Sequence, residues 1–113
     1  LNIPKNTVEV AIENSLCFGL FKQDQQVGFA RLITDSATFA YLCDVYILEE
    51  HRGQGLSKML MQEIIQHPQL QGLRRMVLAT RDAHSLYEQY GFKALANPPS
   101  FMELWKPDVY KKA

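Results

Sequence analysis

The sequence has no excess of charge of either sign. Twelve Lys and Arg side chains balance twelve Asp and Glu side chains, so the formal net charge at pH 7 is zero. A domain that grips nucleic acid or an anionic membrane through its overall charge is strongly basic. The sequence therefore predicts neither a nucleic acid partner nor a membrane-surface partner.

Long apolar runs are also missing. No stretch reaches the roughly 18 consecutive apolar residues that a membrane-spanning helix needs. The first ten residues, LNIPKNTVEV, have neither the basic nor the apolar region of a secretory signal. We therefore expect a cytoplasmic protein.

Cysteine and histidine are few and scattered. Cys17 and Cys43 both lie in apolar, strand-like runs, where two free thiols in a reducing compartment are expected and a disulfide is the alternative. Burial in such a run raises a thiol pKa, which argues against a cysteine nucleophile. The three histidines stand apart, and neither C-x-x-C nor H-x-x-x-H occurs, so we expect no metal site.

The patterns that are present predict one α/β domain over residues 1–113. A short N-terminal helix, capped by Asn6 or Thr7, precedes three runs of strand character at residues 16–21, 27–35 and 38–48. The turns between these runs are short and polar. Short turns favour an antiparallel meander.

The second half of the sequence changes period. Leu56, Met59, Leu60 and Ile64 follow helical spacing, and Pro68 ends that helix. Residues 74–80 form a strand parallel to the third one, because a helix separates the two. Asp82 is expected to cap a helix over residues 83–90, which Gly91 ends. A last strand is predicted within residues 92–107, interrupted at residues 97–99.

The stretch LEEHRGQGLSK, residues 48–58, joins the third strand to the long helix. The first N–H groups of a helix have no intrahelical partner and lie at its positive end, and glycines let an anion approach the backbone closely. Arg52 and Lys58 add positive charge. The stretch therefore indicates a phosphate site, the alternative being a turn that needs glycine for its geometry. Neither a Walker loop nor a complete Rossmann fingerprint is present.

Two blocks of sequence together resemble the GNAT acetyltransferases. DVYILEEHRGQGLSKMLMQEI resembles the acyl-CoA-binding motif V-x-x-x-x-R-G-x-G-[IL]-[GS]-x-x-L-[LM], through Ile47, Arg52, Gly53, Gly55, Leu56, Ser57, Leu60 and Met61. LATRDAHSLYEQYGF resembles the later motif A-x-x-[LF]-Y-x-x-x-G-F, through Ala83, Leu86, Tyr87, Gly91 and Phe92. Two positions depart from the pattern: Glu50 stands where the family often has glutamine or arginine, and Thr80 where it often has asparagine.

The resemblance implies a GNAT-like mixed sheet, in which an antiparallel meander is followed by a β-α-β-α-β half. GNAT domains usually begin with a strand and a helix that this chain lacks. We therefore expect residues 1–113 to form a single, N-terminally incomplete GNAT domain.

The implied function is transfer of an acetyl group from acetyl-CoA to a primary amine by direct attack. In the family, acetyl-CoA lies in an opening between two parallel strands that splay apart. By resemblance, the cofactor-binding residues are Val45, Tyr46 and Ile47 along the pantetheine arm, Arg52, Gly53, Gln54, Gly55, Leu56 and Ser57 around the pyrophosphate, and Thr80 and Tyr87. Tyr87 matches the family's general acid for the CoA thiolate, whereas Tyr90 is expected to pack.

A general base must also take the proton of the amine. Strand alternation places Cys43 and Val45 on one face and Asp44 on the other, and Asp44 is our first candidate for this base. The alternative is a strand carboxylate that accepts a structural hydrogen bond. Asp35, His84 and Glu103 are weaker candidates.

Two other functions stay open at the level of sequence. One is a CoA-binding sensor or binding module that transfers nothing, and the other is a nucleotide-binding α/β protein. For the enzyme, the acceptor is a small-molecule or peptide amine. Exposed edge strands would permit a homodimer.

Overall fold

The computed structural model describes residues 3–111 of the chain. Helix α1 (Lys5–Glu13) precedes three strands, β1 (Leu16–Lys22), β2 (Gln25–Thr34) and β3 (Phe39–Ile47). Helix α2 (Leu56–Gln66), strand β4 (Arg75–Leu78) and helix α3 (His84–Glu88) follow. Short 3-10 turns lie at Glu49–His51, Pro68–Leu70 and Pro98–Ser100.

The four strands form one mixed sheet in the order β1-β2-β3-β4. The pairs β1–β2 and β2–β3 are antiparallel, and β4 is parallel to β3. The predicted meander, the parallel return and the α/β class are therefore confirmed. Helix α2 also begins and ends where its apolar period and Pro68 predicted.

The core lies between α2 and one face of the sheet. Its fully buried side chains come from β2, β3 and α2, and include Leu32, Leu42, Met61 and Ile64. Met61 and Ile64 are one helical turn apart, so the apolar stripe of α2 covers the middle strands. This packing fixes the N-terminus of α2 beside the end of β3.

Helix α1 has no buried residue, and the sheet face opposite α2 is partly open. Ile33 and Tyr46, on β2 and β3, keep large exposed areas. The predicted caps of α1 were wrong, because the helix begins after Pro4, and Asn6 and Thr7 lie within it. Proline suits this boundary, since it has no N–H that the first turn must satisfy.

Strand β3 contains a bulge that the sequence did not reveal. Arg31 pairs with Cys43 and Phe29 pairs with Tyr46, so Asp44 and Val45 together lie opposite one residue of β2. Asp44 has a φ of 54°. We expected Cys43 and Val45 to share one face of β3, and this was wrong. The extra residue at the bulge turns Val45 onto the core face, away from the face of Cys43.

Two other predictions are corrected at the C-terminal end. Residues 92–107 form no strand in the described part of the chain, where the 3-10 turn Pro98–Ser100 is the only regular element. Asp82 is not the cap of α3, because the helix begins one residue later and Ala83 occupies the N-cap position. Gly91 has the predicted left-handed conformation, with a φ of 91°, but α3 ends earlier than predicted, at Glu88 with Gln89 as its C-cap.

Candidate active site

An opening separates the two parallel strands at their carboxyl ends. β4 pairs with β3 only from Phe39↔Arg75 to Leu42↔Leu78. β3 then continues through its bulge to Ile47, whereas β4 ends at Leu78. Backbone groups of β3 beyond Leu42 are therefore free of β4, and Val45, Tyr46 and Ile47 lie along this unpaired part.

The loop between β3 and α2 ends at an uncapped helix N-terminus. Gly53 and Gly55 both have a φ of 78°, a left-handed conformation that other residues adopt only with strain. Gly55 is the N-cap of α2, where no side chain bonds to the first N–H groups. A Cβ atom at either glycine would meet nothing within 4 Å. The glycines therefore set the backbone conformation and leave open space in front of it.

Three cationic side chains surround this loop. Arg52 folds back along β3, donating from Nε to the Ile47 carbonyl at 2.9 Å, and its guanidinium lies 5.4 Å from the Tyr46 ring centroid. Lys22, at the end of β1, donates from Nζ to Gln54 Oε1 at 2.9 Å. Lys58 lies in the first turn of α2. With the helix dipole, these charges make the loop favourable for an anion.

A cavity of about 260 Å³ opens in front of this loop. We call it the loop cavity, and it is lined by Ile47, His51, Arg52, Gly53, Gly55, Leu56, Ser57, Lys58 and Leu86. Nδ1 of His51 is buried there without a hydrogen-bond partner. Leu86, the residue of this set that lies on α3, brings α3 into the wall of the loop cavity.

Tyr87 lies on α3, next to Leu86 in sequence. Its side chain is only 9% exposed, and its ring packs edge-on against Phe92 with centroids 6.0 Å apart. Burial raises the pKa of the Tyr87 phenol above its ordinary value. Like any tyrosine of ordinary pKa, the phenol carries its proton at neutral pH.

The position of α3 is set by contacts at its end. The Tyr90 hydroxyl donates to the Lys58 carbonyl at 3.2 Å, which ties α3 to the first turn of α2. Phe92 N–H donates to the Tyr87 carbonyl as the chain reverses at Gly91. The structural role predicted for Tyr90 is confirmed.

Tyr87 also lines a second cavity, between β4 and α3. This β4–α3 cavity measures about 390 Å³ and is lined by Met76, Val77, Leu78, Ala79, Thr80, His84, Tyr87, Glu88, Phe92, Lys93, Ala94 and Leu95. Thr80 shares it with Tyr87, and the Thr80 hydroxyl accepts from the Ala83 N–H at 3.0 Å. Thr80 therefore anchors the start of α3 through its side chain.

Asp44 lies at the bulge on the exposed side of β3. One carboxylate oxygen accepts from Arg31 Nε at 2.8 Å, and Arg31 Nη1 donates to the Ser15 hydroxyl at 3.0 Å. The hydrogen bond to Asp44 raises the pKa of the Arg31 guanidinium. The structural contact expected as the alternative for Asp44 is thus present, while its second oxygen stays available.

Asp35, a weaker candidate for the general base, already accepts several hydrogen bonds in the β2–β3 turn. Asp35 accepts from the N–H groups of Ala37, Thr38 and Phe39 and from the Thr38 hydroxyl, at 2.6 to 3.2 Å. These bonds hold the pKa of Asp35 well below its usual range. Asp35 therefore closes the β2–β3 turn.

The cysteines are both free. Cys17 and Cys43 pair with Arg31 from opposite sides, so the width of two strand spacings separates them. That distance, about 9.6 Å, exceeds the reach of a disulfide. Burial raises the pKa of the Cys43 thiol, as its apolar run predicted.

With this geometry in hand, comparison with known proteins identifies the family. A family model described as an acetyltransferase (GNAT) domain matches residues 13–94, which include both sequence blocks. The chain belongs to the GNAT acetyltransferases.

A solved GNAT structure resembles the chain over nearly its whole length. It is described as a "putative acetyltransferase" of the GNAT family from Xanthomonas campestris pv. campestris. The two chains are 55% identical with a TM-score of 0.91, over 97% of this chain and 78% of that one. The mixed GNAT sheet expected from the sequence is thereby confirmed.

More distant relatives are also described as acetyltransferases. A "putative acetyltransferase" of Gibberella zeae is 36% identical, and the match covers 76% of this chain and 59% of that protein. The chain thus spans little more than half of that relative. A GNAT acetyltransferase from Elizabethkingia anophelis, solved with acetyl-CoA bound, has the same fold with a TM-score of 0.67 at 15% identity, over 92% of this chain and 74% of that one.

The predicted site residues of this GNAT chain lie in more than one place in the structure. Ile47, Arg52, Gly53, Gly55, Leu56 and Ser57 line the loop cavity, and Gln54 extends from it toward Lys22. Thr80 and Tyr87 line the β4–α3 cavity. Tyr46 lines a shallow pocket beside β2, and Asp44 lies with Arg31 on the outer face of the sheet.

Two contributors to these places were missed from the sequence. Lys22 reaches the loop from the β1–β2 hairpin, 32 residues away in the chain. Arg31 engages Asp44 across the sheet. Neither residue lies in a motif, and only the pairing register of the strands could have revealed them.

In residues 3–111, none of the helices has the length and apolar character that a membrane span requires.

Proposed function

We propose that this GNAT chain is an N-acetyltransferase that moves an acetyl group from acetyl-CoA to a primary amine by direct attack. One observation carries the proposal. The uncapped N-terminus of α2, with Gly53 and Gly55 in left-handed conformations, opens beside the point where β3 and β4 separate, and α3 contributes Leu86 to the loop cavity and Tyr87 to the β4–α3 cavity.

The loop cavity is our proposed site for the pyrophosphate. Backbone N–H groups at the start of α2 would donate to phosphate oxygens, because no side chain caps them. Lys58 and Lys22 would add charge nearby, and Arg52 would hold the loop against the end of β3. The donors would be backbone amides and lysine ammonium groups, and both kinds of donor bind the negatively charged oxygens of a diphosphate.

The unpaired stretch of β3 is our proposed contact for the pantetheine arm. Val45, Tyr46 and Ile47 follow the last β3–β4 pair, so their backbone has groups free to bond an extended amide-containing chain. Backbone N–H groups here are also our candidates to stabilise the oxygen charge that develops during attack. Thr80 contributes by holding the start of α3 rather than through a free side chain.

Acetyl-CoA supplies a thioester carbonyl that an unprotonated amine can attack, and the carbon–sulfur bond breaks with its electron pair leaving on sulfur. Tyr87 is the proposed general acid, giving its phenolic proton to that sulfur. Its place beside Thr80 in the β4–α3 cavity supports the role, and burial, which raises the pKa of Tyr87, keeps the phenol protonated before the thiolate forms.

Asp44 is the proposed general base that takes the amine proton. It lies at the bulge, two residues after β3 loses its partner, and is more than half exposed. Arg31 orients the carboxylate by bonding one oxygen and leaves the other for a proton or a bridging water.

The wider features of the protein are proposals as well. The acceptor is proposed to be a small-molecule or peptide amine, and the compartment the cytoplasm. Residues 1–113 are proposed to act as one GNAT domain.

The test is acetyl-CoA turnover by the chain in the presence of amine mixtures. We expect free CoA thiol to appear with an amine present, together with an amine product heavier by one acetyl group. Binding of acetyl-CoA without any thiol release above the buffer rate would instead support a non-catalytic CoA-binding module. A thermal shift with ATP and none with CoA would contradict both and favour a nucleotide-binding protein.

A further inference from the structure

The guanidinium of Arg31 is largely covered by protein but keeps hydrogen-bond donors to spare. Its side chain is only 17% exposed. Nε donates to Asp44 at 2.8 Å and Nη1 donates to the Ser15 hydroxyl at 3.0 Å. Within residues 3–111, no atom accepts a hydrogen bond from Nη2, which carries two N–H groups. These donors are therefore available to a ligand.

The surroundings of Arg31 fix its orientation without satisfying those donors. The Ser15 hydroxyl, which accepts from Nη1, itself donates to the Ala11 carbonyl of α1 at 2.7 Å. Cys17 and Cys43 pair with Arg31 in the two neighbouring strands, so neither lateral neighbour brings a carboxylate. A planar guanidinium held in this way is suited to bind a carboxylate through parallel N–H groups.

The charged groups stand in order across the sheet. Arg31 lies on β2, Asp44 lies at the bulge of β3, and the opening toward β4 lies on the far side of β3. Asp44 is 58% exposed, and its second oxygen accepts no hydrogen bond from the part of the chain that the structure describes. A small molecule that is bound by one end to Arg31 therefore meets Asp44 before it reaches the opening.

An α-amino acid carries the complementary pair of groups. Its carboxylate and its amine are attached to one carbon atom, and the free donors of Arg31 and the free oxygen of Asp44 belong to side chains in direct contact. The carboxylate fits the guanidinium, and the amine fits Asp44. In a peptide, the α-carboxyl group of the first residue is an uncharged amide. The fit therefore favours a free amino acid over a peptide terminus.

An aromatic pair lies beside these charges on the same face of the sheet. Phe29 precedes Arg31 by two residues on β2 and so faces the same way, and it pairs with Tyr46 of β3. Phe29 and Tyr46 line the shallow pocket beside β2, of about 170 Å³, together with Val27 and Leu48. This mainly apolar lining suits an apolar side chain.

We propose that Arg31 binds the carboxylate of the acceptor, and that the acceptor is a free α-amino acid with an apolar side chain. This substrate class rests on the proposed acetyl transfer. The amine nitrogen bonds to the acetyl carbon as the carbon–sulfur bond breaks. The amine proton passes to Asp44, and the sulfur takes the proton of Tyr87. The products are an N-acetylamino acid and CoA.

The first test compares acceptors that differ in the carboxylate, by steady-state release of CoA from acetyl-CoA. L-Phenylalanine is set against its amide and phenethylamine, and L-leucine against its amide and isoamylamine. We expect kcat/KM to be at least about tenfold higher for the two acids, mainly through KM. The amides are the stricter control, because their less basic amines are more often unprotonated at neutral pH. Equal or faster turnover of the acceptors without a carboxylate contradicts the proposal.

The second test assigns this preference to Arg31. Arg31→Gln also removes the ion pair with Asp44, so the decisive quantity is the ratio of kcat/KM for L-phenylalanine to that for phenethylamine. The ratio should fall at least about tenfold in Arg31→Gln. It should keep its parent value in Arg74→Gln, the matched control at an exposed arginine away from the bulge. An unchanged ratio in Arg31→Gln, with both rates lowered alike, would show that Arg31 only positions Asp44.

Binding separates this substrate class from the transfer on which it rests. Titration calorimetry with L-phenylalanine, in the presence of CoA, should show saturable binding that is at least about tenfold weaker in Arg31→Gln. Binding that depends on Arg31, without any acetyl transfer, would support the amino acid site and overturn the transfer. Transfer to amines without preference for a carboxylate would do the reverse. Absence of both binding and transfer contradicts both proposals.

Discussion

At the scale of single residues, the account depends most on Tyr87. The two tyrosines of α3 stand one helical turn apart, yet only Tyr87 lines the β4–α3 cavity, while the hydroxyl of Tyr90 is bonded to α2. This difference was predicted from the spacing of the second sequence block. The two residues therefore provide a test and its control within one helix.

Replacing Tyr87→Phe should lower kcat for acetyl transfer about 10²- to 10⁴-fold, the range for loss of a general acid. Acetyl-CoA affinity should change little, because the ring and its contact with Phe92 remain. Steady-state rates of CoA release and titration calorimetry measure the two effects.

The control is Tyr90→Phe. It removes the hydrogen bond to the Lys58 carbonyl, which should cost about 1 kcal/mol of stability and leave kcat near that of the parent. A Tyr87→Phe enzyme with the parent kcat, or equal losses of kcat in both variants, would remove Tyr87 from the mechanism.

A second residue-scale prediction concerns Asp44. Asp44→Asn keeps a side chain that tolerates the left-handed φ at this position, but it cannot accept a proton from an amine. We expect kcat/KM to fall about 10²-fold or more, with little change in melting temperature, because an exposed ion pair contributes less than about 1 kcal/mol.

Asp108→Asn is the matched control for Asp44→Asn. It breaks another exposed ion pair, with Lys111 at 3.0 Å, at a distant point of the chain. It should leave kcat/KM unchanged. If Asp44→Asn does the same, the carboxylate serves only to bind Arg31.

At the scale of elements, the loop before α2 shows how a motif predicts structure. Its glycines were expected to allow a close anion approach, and both are left-handed with open space in front. The bulge in β3 could not be predicted in this way, because it depends on pairing with β2, which alternation within one strand does not report. The contact of Lys22 with Gln54 in the loop could not be predicted either, because it joins residues that are far apart in the chain.

Gly55→Ala should weaken acetyl-CoA binding at least about tenfold, because the strained N-cap moves the first amides of α2 away from the pyrophosphate. Gly72→Ala is the control, since Gly72 has a φ of 81° and equally open space but lies far from the loop. Both variants should lose about 1 to 2 kcal/mol of stability. Equal acetyl-CoA affinity in the two, measured by titration calorimetry, would show that this loop is not the binding site.

The β2–β3 turn predicts a defined acid response. The folded state holds the pKa of Asp35 well below its ordinary 3.8, so the unfolded chain takes up this proton first as the pH falls. The stabilisation by Asp35 is therefore complete above about pH 4 and is lost as the pH falls further. The Asp35→Asn variant should melt below the parent at pH 7, and this difference should shrink steadily under about pH 4.

Asp24→Asn, in the other hairpin turn, serves as the control for Asp35→Asn. It should follow the parent chain throughout thermal melts monitored by circular dichroism. A difference between Asp35→Asn and the parent that does not change with pH would contradict the role given to the Asp35 charge.

At the scale of the whole molecule, the sequence predicted the meander, the parallel return and the long helix. Each of these follows from local periodicity and from short connections, and α2 packs its stripe on the sheet as expected. The last strand was predicted from its composition but did not form, since a strand also needs a partner edge. Composition within residues 101–106 does not report whether such an edge is paired with them.

The central claim is that the amides at the start of α2 bind the diphosphate of acetyl-CoA. The most direct measurement is an NMR titration of the ¹⁵N-labelled chain with acetyl-CoA, following each backbone amide. The account predicts the largest shifts at residues 53–58, with further shifts at residues 45–47 and around Tyr87. Saturable binding that leaves the amides of residues 53–58 unmoved would contradict it.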